Sequence, residues 1–488
     1  MSAYTFVLFG ATGDLAAIKL FPALYRVGQR DDAADVSVVG VGRSDWDDAR
    51  LHDAAVEALV DQGIGEGSAR TWAEATLRFA RVESYDAFDP VFEAVEAIEA
   101  ERGGPANRVY YLSLPPSTFP GAIQALGAHE AGRGTTAERD GTDHVDDDAP
   151  WVRLVIEKPF GVDLDSAREL NAIVHDNFRE DQVYRIDHYL GKETVQNLLV
   201  FRFANTLFQQ TWRRELVERV EITVAETNDA EGRAGYFDGV GTVRDMIQNH
   251  LMQLFALTAM EPPARLDAEG IRREKIKVLQ STRPVDADEV VLGQYGAGGG
   301  KEAYADHDGV ADGSTTETFA AVTFHIDSWR WQGVPFVLRT GKRLERRLTE
   351  IAVVFRRPPV ALFDGQGGCA PQPNVLRIRL QPDEGFELGF DVKTPGDGFS
   401  VTTQHLDFAY ADAFDGALPD AYETLLHDVA RGDATLFVHA EEAEEAWRLV
   451  APLLDWTGPV HPYESGSWGP DAAADIVTVQ PPDTPTEC

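Results

Sequence analysis

The hydrophobic pattern of residues 1–188 is that of alternating strands and helices. Short apolar, β-rich runs occur at residues 4–9, 36–41, 108–114 and 152–156. Helical stretches are expected between them, at residues 14–29, 53–62 and 89–102. Strands that alternate with helices indicate a parallel sheet with crossover helices, so we expect an α/β domain over this part of the chain.

After about residue 190 the pattern changes to alternation of apolar and polar positions. It predicts half-buried strands at residues 216–226, 318–325, 349–355, 375–380 and 386–392. Few helices separate these strands, which indicates an antiparallel sheet in an α+β domain over residues 189–488. We also expect a long loop at residues 294–314 and helices at residues 412–430 and 440–454.

Length and composition are those of a two-domain globular protein. A chain of 488 residues is too long for one hydrophobic core. Residues 127–150, rich in Gly, Thr and Asp, interrupt the first domain and are expected to be a solvated insertion without an assigned function.

No run approaches the roughly 18 apolar residues of a membrane span, and the chain enters its first strand without a secretory signal pattern.

The two cysteines and the charge restrict the function classes further. Cys369 and Cys488 suggest neither a disulfide framework nor a zinc site, and we expect a cytoplasmic protein. The chain has 81 Asp and Glu against 44 Lys and Arg, a net charge of −37. A nucleic-acid binder needs a basic surface, so that class is disfavoured. The acid is spread along the chain and only 8 of the cations are lysines, which favours a protein adapted to molar salt over an ordinary acidic one.

The turn after the first strand is a candidate dinucleotide-binding loop. It contains the run Gly10-Ala11-Thr12-Gly13-Asp14-Leu15. Small residues let the backbone approach a pyrophosphate, and the helix that follows offers free N–H groups to it. The run lacks the first glycine of the full G-x-G-x-x-G pattern, but its place in the β-α series favours a Rossmann-type domain.

The end of the second strand bears on the choice of cofactor. Arg43 and Ser44 follow that strand and suit a ribose 2′-phosphate, which favours NADP. NAD sites place an acidic residue there, and Asp45 leaves NAD use open. The acidic residues at positions 31, 32 and 35 precede the strand and are badly placed for this role.

Residues 183–193 carry a dense group of polar side chains, VYRIDHYLGKE. Asp187 offers a carboxylate, while His188, Tyr189 and Lys192 offer three donors to one anion. Such a cluster is costly in a core and unnecessary on a surface. Here the sequence resembles the glucose-6-phosphate dehydrogenase family, whose signature R-I-D-H-Y-L-G-K is intact.

Four further ordered motifs extend the resemblance, which becomes diffuse after about residue 400. They are G-x-x-G-D-L-A with Lys19 and Pro22, E-K-P-F-G with Lys158, R-A-G-Y-F-D at 233–238 followed by D-M-I-Q-N-H at 245–250, and G-V-P-F-V-L-R-T-G-K ending at Lys342.

The resemblance implies oxidation of glucose 6-phosphate to 6-phosphoglucono-1,5-lactone with NADP, possibly NAD, and no metal. It implies a Rossmann-type domain followed by a larger domain with a big antiparallel sheet, and a homodimer or homotetramer. His250 would be the base and Asp187 its orienting partner. The substrate and cofactor residues it implies, besides those of the signature, are Lys19, Lys158, Glu226, Asp245, Lys342 and, more weakly, Arg347.

Two rival functions stay open at this point. Another two-domain sugar dehydrogenase could share the E-K-P element but is not expected to carry R-I-D-H-Y-L-G-K. A catalytically dead, nucleotide-binding regulatory protein would not need both Asp187 and His250. Four of the eight lysines fall inside the motifs, which favours an enzyme that retains lysine for a compact cationic contact. Lys275 and Lys277 are expected on a solvated helix face.

The composition predicts that thermal stability rises with salt. At ~0.01 M ionic strength charges interact over about 30 Å, so an excess of 37 negative charges destabilises the compact state. At ~1 M the screening length falls to about 3 Å and most of this repulsion disappears. The melting temperature should therefore climb through a KCl series between these limits. A flat or falling series would contradict salt adaptation without touching the enzymatic interpretation.

Overall fold

The structure is a computed structural model that describes residues 3–131, 150–230, 232–360, 362–363, 372–396, 398–414 and 418–479. Both cysteines and most of the expected insertion lie outside these ranges. The chain divides into two compact units. The first contains Met1–Lys192, Leu266–Arg272 and Pro419–Glu444, and the second contains Glu193–Arg265, Arg273–Leu418 and Glu445–Cys488. Neither unit is one continuous stretch of sequence.

The sheet of the first unit is fully parallel, as the alternation of strands and helices predicts. Its strand order is β3-β2-β1-β4-β5-β6. The two central strands β1 and β4 are buried at every residue, which explains why both are rich in apolar residues. The strands are β1 Tyr4–Phe9, β2 Val36–Gly42, β3 Leu77–Arg81, β4 Asn107–Leu112, β5 Val152–Glu157 and β6 Val183–Ile186.

The sheet of the second unit has nine strands in the order β14-β13-β12-β11-β7-β10-β9-β8-β15. It is mostly antiparallel, as expected, but β10 pairs with β7 and β15 with β8 in parallel. These strands are β7 Val217–Ala225, β8 Val290–Tyr295, β9 Phe319–His325, β10 Pro335–Gly341, β11 Leu348–Phe355, β12 Val375–Gln381, β13 Gly385–Lys393, β14 Val401–Ala409 and β15 Val460–Tyr463. The fold class predicted from the sequence is therefore confirmed.

The α-helices cover the amphipathic stretches that the sequence predicts and several more. They are α1 Phe21–Val27, α2 Asp48–Asp61, α3 Glu66–Thr76, α4 Asp89–Arg102, α5 Phe119–Ala131, α6 Leu164–Asn177, α7 Glu193–Phe203, α8 Thr206–Thr211, α9 Ala234–Asp238, α10 Met252–Ala259, α11 Ala268–Ser281, α12 Tyr410–Ala413, α13 Ala421–Arg431 and α14 Ala440–Leu454. Two π-helical segments, Ala16–Leu20 and Val243–Leu251, run directly into α1 and α10. No helix among the described residues has the length and hydropathy needed to cross a membrane.

Three sequence expectations are wrong in detail. The expected insertion starts later than residue 127, because α5 continues to Ala131 and a Cβ at Gly127 would lie 2.2 Å from Asn177 Oδ1 on α6. The helix expected at 412–430 is interrupted, and α13 begins only after Asp420, whose carboxylate accepts the Tyr422 N–H. Lys275 is buried on the inner face of α11, with 1% exposed, instead of solvated.

Candidate active site

The turn after β1 is built around a glycine that no other residue could replace. Gly10 has φ 81°, and a Cβ there would lie 2.0 Å from the Ser113 carbonyl oxygen after β4. The N–H groups of Gly10 and Ala11 both donate to the Val41 carbonyl, at 2.9 and 3.1 Å. The loop is thereby held against the carboxyl ends of its two neighbouring strands.

The helix that follows this loop presents its first turn at the same sheet edge. Gly13 and Asp14 are exposed there, and the N–H groups of a first helical turn have no partner within the helix. The Thr12 hydroxyl lies 3.5 Å from that of Ser44, which follows β2. This glycine turn, helix start and hydroxyl pair fit the diphosphate of a dinucleotide.

Two charged side chains at the end of β2 bear on the choice of cofactor. The Arg43 guanidinium is exposed and lies 5.2 Å from the ring centroid of Tyr85. Asp45, which left NAD use open, is 90% exposed and forms an ion pair with Arg81 at 2.6 Å. Arg43 is thus exposed at the end of the strand, while the carboxylate of Asp45 already has Arg81 as a cationic partner.

The signature residues form a tight turn directly after β6. Asp187 is 2% exposed, and its Oδ1 accepts the Tyr189 N–H at 2.9 Å. The Lys192 ammonium lies 3.7 Å from the Tyr189 ring centroid. The His188 ring is nearly parallel to that of Tyr422, 10° between planes and 6.4 Å between centroids. His188, Tyr189 and Lys192 are therefore brought together in one turn, as the sequence predicts.

A half-buried carboxyl group lies beside this turn, at the end of β5. Glu157 accepts hydrogen bonds from the hydroxyls of Tyr111 at 2.5 Å and Tyr422 at 3.2 Å. Burial raises the pKa of Glu157, although these hydrogen bonds and the neighbouring Lys158 oppose the shift. The peptide bond between Lys158 and Pro159 is cis.

Helix α13 contributes side chains that the sequence motifs do not identify. The Lys19 ammonium forms an ion pair with Asp420 at 2.7 Å, in addition to the hydrogen bond of Tyr422 to Glu157. A Cβ at Gly191 would lie 2.6 Å from the Ala421 carbonyl oxygen, so the signature turn packs directly against the start of α13. The one local signal for this is the Pro-Asp pair before the helix, typical of a helix start.

In the second unit, Lys342 lies among acidic and aromatic side chains. Its ammonium is 2.9 Å from Glu226 Oε2, 3.9 Å from Asp245 Oδ2 and 5.0 Å from the Phe237 ring centroid. Glu226 and Lys342 follow the parallel strands β7 and β10, whose last residues are register partners. The predicted substrate-binding residues Lys342, Glu226 and Asp245 are thus brought together. Arg347 is exposed and donates to Gln381 Oε1 at 3.3 Å.

The π-helical segment Val243–Leu251 positions Asp245 and His250. His250 is 1% exposed. The N–H of Val243, the first residue of the segment, donates to Glu317 Oε1 at 2.9 Å. Burial raises the pKa of Glu317. The expected pairing of His250 with Asp187 stays a prediction.

Asp238 anchors a long loop onto α9, next to this segment. Its carboxylate accepts the Tyr304 hydroxyl at 3.1 Å, the Ser314 hydroxyl at 2.5 Å and the Ala311 N–H at 3.1 Å. Burial raises its pKa, but these hydrogen bonds outweigh burial and lower the pKa of Asp238. Asp238 therefore has a structural role within its motif, holding α9 and the Phe237 ring beside Lys342.

Comparison with protein families gives two matches that together cover most of the chain. Residues 7–197 match the family described as glucose-6-phosphate dehydrogenase, NAD binding domain. Residues 199–481 match glucose-6-phosphate dehydrogenase, C-terminal domain.

Individual proteins give the same result. Glucose-6-phosphate 1-dehydrogenase 2 of Mycobacterium bovis is 44% identical over 96% of this chain and 92% of its own. A solved glucose-6-phosphate dehydrogenase in complex with glucose 6-phosphate is 35% identical, with a TM-score of 0.87 over 97% of this chain and 96% of its own. The crystal structure of glucose-6-phosphate 1-dehydrogenase from Mycobacterium avium is also 35% identical, with a TM-score of 0.84 over 99% of both chains.

Proposed function

The chain belongs to the glucose-6-phosphate dehydrogenase family, and we propose that it oxidises glucose 6-phosphate at C1 to 6-phosphoglucono-1,5-lactone, the first step of the oxidative pentose phosphate pathway. A nicotinamide dinucleotide accepts the hydride. The observation that carries this proposal is the intact signature turn, in which His188, Tyr189 and Lys192 are clustered after β6.

His250 removes the proton of the C1 hydroxyl in this proposal. Histidine is the natural base near neutral pH. Its imidazolium needs a carboxylate that fixes the tautomer and stabilises the positive charge, and Asp187 has that role. Both side chains are buried, which supports the assignment because a buried polar group keeps a defined geometry.

The signature turn binds the phosphate of the substrate. A protein with a net charge of −37 repels a dianion at long range, so binding needs local cations. His188, Tyr189 and Lys192 supply the donors. Glu157 lies beside this turn, and burial raises its pKa.

Lys342, Glu226 and Asp245 bind the substrate, with Lys342 near the sugar phosphate and the two carboxylates as acceptors for sugar hydroxyls. The ammonium and the two carboxylates offer one donor group and two acceptors within 3.9 Å, which suits a ring of hydroxyls. Lys19 and Lys158 face the substrate or the cofactor, and Arg347 is a weaker candidate at the phosphate.

The glycine turn and the end of β2 hold the dinucleotide. Residues 10–15 bind the diphosphate, with Lys158 as a further contact, and Arg43 with Ser44 bind a ribose 2′-phosphate. NADP is the proposed cofactor, supported by the exposed Arg43 and by the ion pair between Asp45 and Arg81. The nicotinamide ring of the bound cofactor is the hydride acceptor.

We also propose that two copies associate through the second unit, as a homodimer or as part of a homotetramer. Strand β14 is an edge of the nine-stranded sheet and so offers unpaired backbone groups. Exposed apolar side chains lie on or near that edge: Leu406 is 61%, Phe399 60% and Phe414 59% exposed. Apolar side chains grouped in this way favour a protein partner.

Replacing His250 with Asn tests the base. Turnover with glucose 6-phosphate should fall by at least ~10²-fold, the range for a lost general base, while substrate binding stays nearly intact. The measurement is initial-rate kinetics with glucose 6-phosphate or glucose against NADP or NAD, in high and low KCl. If wild-type protein does not reduce either cofactor with glucose 6-phosphate, the proposed function fails. Turnover of the variant near that of the wild type would remove only His250 from the base role.

Replacing Lys192 with Gln tests the phosphate site. The KM for glucose 6-phosphate should rise far more than the KM for glucose, because only the first substrate carries the dianion that an ammonium attracts. Both constants come from the same initial-rate assay. An equal rise for both sugars would show that Lys192 serves something other than the phosphate.

Replacing Arg43 with Ala tests the cofactor assignment. Binding of NADP should weaken much more than binding of NAD, because only NADP has the 2′-phosphate that a guanidinium binds. Titration of each oxidised cofactor into the protein gives the two dissociation constants. An equal loss for both cofactors would contradict a contact with the 2′-phosphate.

A further inference from the structure

Asn249, the neighbour of His250, joins two points of the π-helical segment with its side chain. Its Nδ2 donates to the Arg244 carbonyl at 3.1 Å, five residues earlier. Its Oδ1 accepts the His250 N–H at 2.6 Å. The side chain is buried, with 8% of the residue exposed. One amide therefore spans the π-turn and binds the backbone of His250.

The helical register decides where His250 points relative to Asp245. A π-turn is closed by a hydrogen bond between residues i and i+5, so it places Asp245 and His250 one turn apart. In an α-helix, residues five apart are about 140° apart around the axis. Relaxation to α-helical register would therefore rotate His250 away from the side of the helix on which Asp245 lies.

A π-helix of nine residues needs local support. Such helices are rare and occur mostly as single turns. At the end of the segment the Met252 N–H is shared between the Ile247 carbonyl, again five residues back, and the Asn249 carbonyl. Within the segment, the side-chain amide of Asn249 forms hydrogen bonds with the carbonyl of Arg244 and the N–H of His250.

We propose that Asn249 is a positioning residue that holds the π-helical register at 243–251 and thereby fixes the direction of His250 toward the reacting C1 hydroxyl. The proposal rests on the proposed role of His250 as the base. Asn249 itself transfers no proton and binds no substrate. Its loss should slow the chemical step, since a small misplacement of a catalytic group can cost about 10²-fold in rate.

Asn107 is a closely matched control. It is also 8% exposed. Its Nδ2 donates to the Ala3 carbonyl at 3.1 Å, and its Oδ1 accepts the Trp151 N–H at 3.0 Å. It lies at the start of β4, the strand end opposite the loop edge. Replacement of either Asn by Leu removes the same two kinds of hydrogen bond from a buried amide.

The experiment compares Asn249→Leu, Asn107→Leu and His250→Asn in the full chain. We expect Asn249→Leu to lower kcat by about 10- to 100-fold with little change in the KM for glucose 6-phosphate. The deuterium isotope effect on kcat, measured with substrate deuterated at C1, should rise because hydride transfer becomes more rate-limiting. Asn107→Leu should lower the melting temperature by a similar amount but leave kcat and the isotope effect unchanged.

Each result decides between the proposals. If Asn249→Leu matches Asn107→Leu in kcat and isotope effect while His250→Asn is inactive, the positioning role is wrong and the proposed function stands. If His250→Asn stays active, the assignment of His250 as the base is wrong, and the positioning role that rests on it is wrong as well. Should Asn249→Leu not fold, Asn249→Asp keeps the acceptor for the His250 N–H and loses the donor to Arg244. A lowered kcat with unchanged KM in that variant supports the proposal, and wild-type kcat overturns it.

Discussion

Parallel pairing of strands is the constraint on which the candidate site residues of each unit depend. Parallel strands end at the same edge of a sheet, so residues distant in sequence become neighbours there. In the first unit Gly10, Arg43, Lys158 and Asp187 each come within two residues of the end of a strand of one parallel sheet. In the second unit the parallel pair β7 and β10 places Glu226 and Lys342 together, although their sheet is otherwise mostly antiparallel.

Local compensation of charge is the second requirement in a chain this acidic. Lys342 is held between two carboxylates, and Lys19 is paired with Asp420. A lysine ammonium is a compact cation on a flexible side chain. These ion pairs restrict each ammonium group to a defined place. Beside the signature turn, burial raises the pKa of Glu157, and the hydrogen bonds from Tyr111 and Tyr422 oppose this shift.

Two segments that carry candidate site residues are π-helical instead of α-helical. Lys19 lies in the π-helical segment Ala16–Leu20, and Asp245 and His250 lie in the other. π-Helices are weak by themselves and are found frequently at functional sites. Their register is maintained by particular contacts, such as those of Asn249, and not by helix propensity. A search for a 3.6-residue period in the sequence predicts a helix in such places but cannot predict this register.

The sequence by itself determined the fold class, most strands and the motifs, because the period of apolar residues and short runs such as R-I-D-H-Y-L-G-K are local properties. It did not determine that Tyr422 and Asp420, at the start of α13, contact Glu157 and Lys19, since those contacts join positions 265 and 401 residues apart. It also misplaced Lys275, whose burial depends on what packs against α11. Only the tertiary structure decides such matters, because long-range contacts and burial depend on which surfaces meet, and a local pattern carries no information about the partner.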